Sequence, residues 1–213
     1  MAKNNSTNNL KQQFKDNKQL RLITYSIGGV VVLLVGYLVY RQFIFGPEND
    51  KSKGAYVKGL NLASQDSTDL AIAELEGVVK KYDGTVGGEI AEMVLARQYM
   101  TKGNFKKALT TLEGVSVGDT YAKVGVIGLQ GDCYSEMGKY QDALDKYTEA
   151  AETNENEKTT PEYLFKAALV AEHLKNFEKA TELYERIRDN YSQFSQQKAI
   201  EKFIARSKNS KLK

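Results

Sequence analysis

The side chains that most often carry enzyme chemistry are scarce in this sequence of 213 residues, which has one cysteine, Cys133, and one histidine, His173. Nucleophilic catalysis needs a nucleophile beside a base, and a zinc site needs several such ligands together. Cys133 lies among apolar residues of a predicted helix, so we interpret it as a small core residue. We interpret His173, near a helix end, as an exposed residue or a C-terminal charge partner. We therefore expect no enzyme activity, no cofactor and no metal site.

The distribution of charge argues against nucleic-acid binding. Residues 48–213 hold 24 basic and 26 acidic side chains, and residues 1–47 hold six basic side chains and one acid. A nucleic-acid binder usually shows a basic stripe along its folded body, whereas here acids and bases are mixed through every segment. We expect no nucleic-acid partner.

An uncharged apolar run, Leu22 to Tyr40, is nineteen residues long. A helix of that length spans roughly the hydrocarbon core of a bilayer. A buried core helix would show a polar face, and a cleaved signal peptide would have a shorter apolar region followed by small residues. The run instead continues into Arg41 and aromatic residues, so we predict an uncleaved anchor over residues 22–45 that contacts membrane lipid. Residues 46–51 are predicted as a linker.

The orientation of this anchor is predicted from a small excess of positive charge before it. Lys11, Lys15, Lys18 and Arg21 precede the run, and fewer cations follow it. The positive-inside bias therefore favours a cytoplasmic N-terminus. Residues 1–21 are predicted to form a largely disordered basic tail, since the first ten are rich in Asn, Ser and Thr.

The remaining sequence repeats. Three short segments, Gly103–Ala108, Gly138–Ala143 and Lys175–Ala180, align on their terminal alanines at intervals of 35 and 37 residues. A large apolar residue follows each alanine at the fourth position and a smaller one at the seventh, and these positions share one helix face. A weaker fourth copy around Ala71 has Asp66 where the others have Gly or Lys. Such spacing predicts helix pairs that pack closely through small residues.

Several helix boundaries are predicted from single residues. Gly103 and Gly138 are placed where the first helix of a pair must end and the chain must turn. Thr160, followed by Pro161, has the composition of a helix N-cap. The segment from Phe194 to Arg206 is amphipathic and is predicted to be a helix that caps the last pair.

The repeat pattern resembles the tetratricopeptide repeat family. The resemblance covers residues 52–191, with units starting near Ser52, Glu89, Val124 and Pro161, and it leaves residues 192–213 for the capping helix and a basic tail. It implies an all-α fold: a single N-terminal transmembrane helix, then an α-solenoid of about four helix pairs and a C-terminal capping helix.

The resemblance also implies a concave surface that binds protein, lined by the first helix of each pair. The family's groove positions, carried over to this sequence, are Tyr56, Leu60, Met93, Arg97, Met100, Asp132, Phe165, Leu169 and Glu172. These side chains give an apolar groove with a few charges, which suits an adaptable peptide or helix site. The alternative is that several of them pack against neighbouring helices or the capping helix.

The order of tail, anchor and repeats is similar to that of the YfgM family, including the stretch from Ala55 to Leu62 just after the anchor. This resemblance implies a single-pass protein of the bacterial inner membrane whose C-terminal domain is periplasmic. Its implied partners are the SecYEG translocon, a periplasmic chaperone of the PpiD type and exported client polypeptides. The alternative is an adaptor in another envelope assembly, such as outer-membrane biogenesis or cell division, because the same architecture serves either role.

Overall fold

The computed structural model describes residues 14–211, and the regular elements within that range are all helical. The disordered tail is predicted over residues 1–21; its first thirteen residues, and the last two residues of the chain, lie outside the described range, and α1 begins at Lys18 within the predicted tail. The chain divides into two compact units between Lys51 and Ser52. The predicted all-α fold with an N-terminal apolar helix and a repeat solenoid is confirmed.

The first unit contains helix α1, Lys18–Tyr40. The Asn17 side chain caps it by accepting a hydrogen bond of 3.1 Å from the Leu20 N–H. Inside the apolar run, the Thr24 hydroxyl donates to the Leu20 carbonyl at 2.8 Å, which satisfies a polar group that lipid would leave unpaired. By length and composition this helix can cross a membrane, and its side chains are exposed rather than buried as in a core helix.

The helix does not end at the predicted linker. Residues Arg41–Phe45 form a π-helical turn, and α2 follows over Gly46–Ala55. Residues 46–51, which are predicted as a linker, are helical. Pro47, which has no backbone N–H, follows directly after the π-helical turn, where the hydrogen-bond pattern of the helix changes.

The second unit is a series of helix pairs. The pairs are α3 (Val57–Ser64) with α4 (Thr68–Lys81), α5 (Val86–Thr101) with α6 (Phe105–Gly114), α7 (Thr120–Glu136) with α8 (Tyr140–Thr153), and α9 (Thr159–His173) with α10 (Phe177–Asn190). Each helix packs against the one before it and the one after it. The core consequently runs along the series instead of gathering at one centre.

The aligned alanines lie at the centre of this core. Ala71, Ala108, Ala143 and Ala180 are completely buried, and so, to within a few per cent, are the large residues four positions after them: Leu75, Leu112, Tyr147 and Tyr184. A methyl group at each alanine lets two helices approach, and the large residue one turn later fills the space beside it. Burial of one such large side chain stabilises the fold by about 1.5–3 kcal/mol.

The turn inside each pair has the same backbone geometry. Asp66, Gly103, Gly138 and Lys175 all have φ between 56° and 72°. In each turn the next residue's N–H bonds back to a carbonyl five residues earlier, as from Asn176 to Ala171 at 2.8 Å. This is the Schellman arrangement that ends a helix with a left-handed residue. The predicted turn glycines are confirmed, and two non-glycine residues take the same conformation.

The predicted N-cap at Thr160 is wrong. Helix α9 begins at Thr159, and Thr160 is a fully buried residue within its first turn. The Thr160 hydroxyl accepts from the Asn156 N–H at 2.9 Å, and the Asn156 side chain accepts from the N–H groups of Lys158 and Thr159. Asn156 thus satisfies two free N–H groups at the start of α9.

The capping segment is two helices rather than one. α11 spans Ser192–Lys198 and α12 spans Ile200–Lys211, and Ala199 between them has φ 53°. The break turns α12 onto α10, where Ile200 and Ile204 are buried against the last pair. A straight helix from residue 192 would not bring both segments onto this face.

Candidate protein-binding surface

The first helices of the pairs lie on the inner side of the series. α3 contacts α5, although α4 lies between them in the chain, and α7 contacts α9, although α8 lies between them. Eight of the nine predicted groove residues lie on first helices, and Tyr56 immediately precedes α3.

The surface is most open on α3 and α5. Leu60 is 43% exposed, Met93 is half-buried and Arg97 is exposed. The Arg97 guanidinium forms no ion pair or side-chain hydrogen bond within the described part of the chain. An exposed cation flanked by apolar side chains is therefore free to contact an incoming partner.

Glycines replace side chains on the neighbouring stretch of α7. A Cβ at Gly125 would lie 4.0 Å from the Met93 Cε, which is ordinary contact, so a methyl group would fit there without displacing a neighbour. A Cβ at Gly128 would instead overlap the Tyr163 ring, which lies on the bare backbone there. Tyr163, whose pKa is raised mainly by burial, is close enough to Arg97 for the cation to lower that pKa in part. Gly125 is thus half-buried beside Met93, whereas Gly128 is buried beneath the Tyr163 ring.

Asp132 lies further along α7, and its carboxylate already accepts hydrogen bonds within the protein. It accepts hydrogen bonds of 2.6 Å from the Tyr147 hydroxyl and from the Lys166 ammonium group. The ammonium group also lies 5.3 Å from the centre of the Tyr147 ring. Burial, together with the bond to Asp132, raises the pKa of Tyr147 and keeps its hydroxyl a donor. Asp132 therefore joins α7 to α8 and α9 and is not a free acceptor for a ligand.

Two predicted groove residues are covered by the capping segment. The Phe165 ring centre lies 4.9 Å from that of Phe203 on α12 and 6.2 Å from that of Phe194 on α11. Glu172 forms an ion pair with Arg206 and accepts a hydrogen bond of 3.3 Å from the Tyr184 hydroxyl. At these two positions the structure shows the packing alternative and not an open surface.

The remaining three residues are only partly available. Tyr56 and Met100 are half-buried and pack against the core of the first two pairs. Leu169 is 38% exposed on α9. The open part of the surface accordingly consists of Leu60, Met93, Arg97 and the Gly125 backbone, with Leu169 further along.

Carboxylates gather at the start of α5. Burial, together with the neighbouring charges of Asp83 and Glu89, raises the pKa of Glu92 to about 7. Glu89 itself has a raised pKa from burial. No group of residues able to hold a metal ion occurs in the described range.

Cys133 lies in the core, and His173 lies on the surface. Cys133 is completely buried, as predicted, and its surroundings raise the pKa of the thiol to about 11, which keeps it protonated and unreactive. His173 is exposed in the last turn of α9, and its ring centre lies 3.9 Å from that of Tyr140 on α8.

The glycines of α7 at positions 125 and 128, and Tyr163, were missed by the sequence prediction. Gly125 and Gly128 fall at the second and fifth positions of the unit that starts at Val124, where the family directs side chains into the groove. Together with Gly131 they give three glycines at intervals of three residues. This spacing indicates that another part of the protein packs closely against that face of the helix.

Comparison with known proteins agrees with this geometry. The family model described as a tetratricopeptide repeat-like domain matches residues 62–172, and a second model, tetratricopeptide repeat, matches residues 162–193. None of the curated proteins compared with the chain matches it.

Several solved structures share the fold. A crystal structure of MamA protein is 20% identical, with a TM-score of 0.58 over 78% of this chain and 84% of that one. The kinesin light chain TPR-like repeats of Podosopora anserina are 17% identical, with a TM-score of 0.60 over 76% and 87% of the two chains. PilF of Pseudomonas aeruginosa is 17% identical, with a TM-score of 0.55 over 76% of each chain.

Proposed function

Because the chain belongs to the tetratricopeptide repeat-like domain family, whose members serve as protein-binding scaffolds, we propose that it is a membrane-anchored scaffold that assists protein export. The proposed partners are the SecYEG translocon, a periplasmic chaperone of the PpiD type and exported client polypeptides. The fold is typical of scaffolds that bind and position other proteins and carry out no reaction themselves.

The proposed anchor is residues 22–45 in the bacterial inner membrane. An apolar helix with exposed side chains is stable only if lipid or another protein covers it. Lys15, Lys18 and Arg21 before this helix favour a cytoplasmic N-terminus and a periplasmic repeat domain. In this arrangement the repeats face polypeptides that leave the translocon.

The observation that carries the proposal is the open surface of α3, α5 and α7. Leu60 and Met93 offer apolar contact, Arg97 offers an unpaired cation, and Gly125 leaves room for a partner to approach the helix backbone. Flexible methionine contacts suit partners of varied sequence, as a handler of many exported chains requires. One ionic anchor among apolar contacts fixes the register of a bound segment.

Site-specific photocrosslinking in intact cells tests this function. A photoreactive residue in place of Met93 should give adducts with translocon subunits, a chaperone or exported polypeptides. The matched control is Leu70, which is 63% exposed on the second helix α4 and should give few adducts. Equal labelling at the two positions would contradict a specific binding surface.

Purification in mild detergent distinguishes the translocon from other envelope assemblies. Copurification of SecY, SecE and SecG with the full chain is the expected result. Recovery of outer-membrane biogenesis or cell-division proteins without those subunits would favour the adaptor alternative.

A further inference from the structure

The segment before the apolar helix bends back on itself. In a straight helix the rings of Phe14 and Tyr25 would be roughly 16 Å apart along the axis. Their centres are 6.1 Å apart and the rings meet edge to face. The reversal occurs at Asn17, which has extended backbone angles and caps α1. Residues 14–16 therefore lie beside the first turns of α1 and do not continue its axis.

A small cleft lies along the first turns of α1, at the charged end of the apolar run. The cleft has a volume of about 370 Å³, and its described lining is Lys18, Gln19, Arg21, Leu22 and Tyr25. Lys18, Arg21 and Tyr25 share one face of α1, because they are three and seven positions apart. Neither Lys18 nor Arg21 has an ion-pair partner among residues 14–211, and both are exposed.

We propose that this cleft binds the phosphate headgroup of an anionic phospholipid. Lys18 and Arg21 face the phosphate, while Leu22 and Tyr25 line the path that the acyl chains follow toward the bilayer interior. Charge complementarity supports this ligand, since two unpaired cations adjoin an apolar surface nineteen residues long. A tyrosine at the headgroup level provides an apolar ring and a polar hydroxyl at the same depth.

The inference rests on the proposed membrane anchor, so the first measurement tests the anchor by itself. The full chain is mixed with vesicles of phosphatidylcholine alone and separated by flotation. Flotation with these neutral vesicles is expected, because the apolar helix inserts without any headgroup charge. Failure to float would contradict the anchor and, with it, the lipid site.

The second measurement tests the lipid site. The full chain in neutral detergent is titrated with phosphatidylglycerol or phosphatidylcholine, and bound lipid is counted by native mass spectrometry. Each cation near an anionic headgroup contributes about a fivefold increase in affinity. The Lys18→Gln/Arg21→Gln variant should therefore bind phosphatidylglycerol about twenty- to thirtyfold more weakly and phosphatidylcholine as before.

The matched control removes the same charge at the other end of the helix. Arg41→Gln/Lys51→Gln should leave phosphatidylglycerol binding within about twofold of the unmodified chain. An equal loss in both variants would show that net charge alone attracts the lipid, and equal binding of the two lipids by the unmodified chain would show that no headgroup site exists. Either result overturns the inference while leaving the anchor intact.

Discussion

Two residues of the turns adopt a conformation that their side chains disfavour. Asp66 and Lys175 have φ of 56° and 59°, where Gly103 and Gly138 adopt the same geometry without a steric cost. A side chain in this region costs about 1–2 kcal/mol, although Asp tolerates it better than Lys because its carboxylate can bond locally. Lys175 is therefore the turn residue with the largest unrelieved backbone strain.

Lys175→Gly should stabilise the chain by about 0.5–1 kcal/mol. Removal of the side chain relieves strain in the folded state, and part of this gain is lost to the greater freedom of glycine in the unfolded chain. Urea unfolding of the full chain in detergent measures the change. Gly138→Ala is the matched reverse case and should lower the free energy of unfolding by about 1 kcal/mol. A loss of stability in Lys175→Gly would contradict the inference that the backbone of Lys175 is strained.

Glu92 should make stability depend on pH. Its folded-state pKa of about 7 lies above the ordinary value, so the folded state holds the proton more tightly than the unfolded chain does. This contribution is fully present below about pH 4.5 and is lost as the pH rises through about 7. Urea midpoints of the unmodified chain should therefore fall between about pH 5 and about pH 8, whereas those of Glu92→Gln should fall less. Glu113→Gln, an exposed carboxylate on α6, should leave the slope unchanged.

At the scale of single elements, α7 shows what the repeat pattern predicted and what it did not. Gly131 shows the close packing through small residues that the repeat pattern predicts, since a Cβ there would lie 2.7 Å from the Tyr147 ring. Gly128 lets α7 pack against the next pair, because the Tyr163 ring of α9 occupies the space that a side chain at position 128 would fill. Contacts within one repeat leave a periodic signal in the sequence. A contact between a glycine of one repeat and an aromatic residue of the next leaves no periodic signal, so it can be recognised only when the two residues are already known to be neighbours.

Gly128→Ala should destabilise the chain by about 1–3 kcal/mol. The added methyl group would displace the Tyr163 ring from the backbone of α7, and such overpacking outweighs the better helix propensity of alanine. Thermal unfolding measures the loss. Gly125→Ala on the same helix meets only the Met93 Cε at 4.0 Å, so it should be neutral or stabilising by up to about 1 kcal/mol. Equal effects of the two substitutions would contradict the packing described for Tyr163.

Helix ends and the capping segment were less predictable than the repeats. Thr160 has the composition of an N-cap, but its hydroxyl bonds within the buried junction with Asn156. The break at Ala199 has no sequence signal, because alanine favours helix and rarely adopts φ 53°. Packing of Ile200 and Ile204 against the last pair overrides the local preference there. That packing also explains why Phe165 and Glu172, assigned to the groove by position, are covered.

Over the whole repeat unit, each helix depends on its immediate neighbours. α12 packs on α10 and reaches α9 through the ion pair between Arg206 and Glu172. No contact of comparable extent joins α12 to the first two pairs within the described range. Stability in such a series is close to a sum of nearest-neighbour terms, so damage at one end stays near that end.

The Ile200→Ala/Ile204→Ala variant should loosen the last pair selectively. Truncation of a buried isoleucine costs about 2–5 kcal/mol, and here the loss falls on the surface between α10 and α12. Amide hydrogen exchange should accelerate in α9 and α10 and change little in α4 and α5. Leu70→Ala, at an exposed site, should alter neither region. Uniform acceleration along the chain would contradict nearest-neighbour stability.

The buried position of Cys133 has a practical consequence for spectroscopy. It is the single cysteine of the chain, and burial together with its high pKa protects the thiol from maleimide reagents under native conditions. A cysteine introduced at an exposed site such as Leu70 or Arg97 should therefore accept a dye or spin label specifically. Two such introduced cysteines on different repeats would make the distance between those repeats measurable without first replacing a residue of the core.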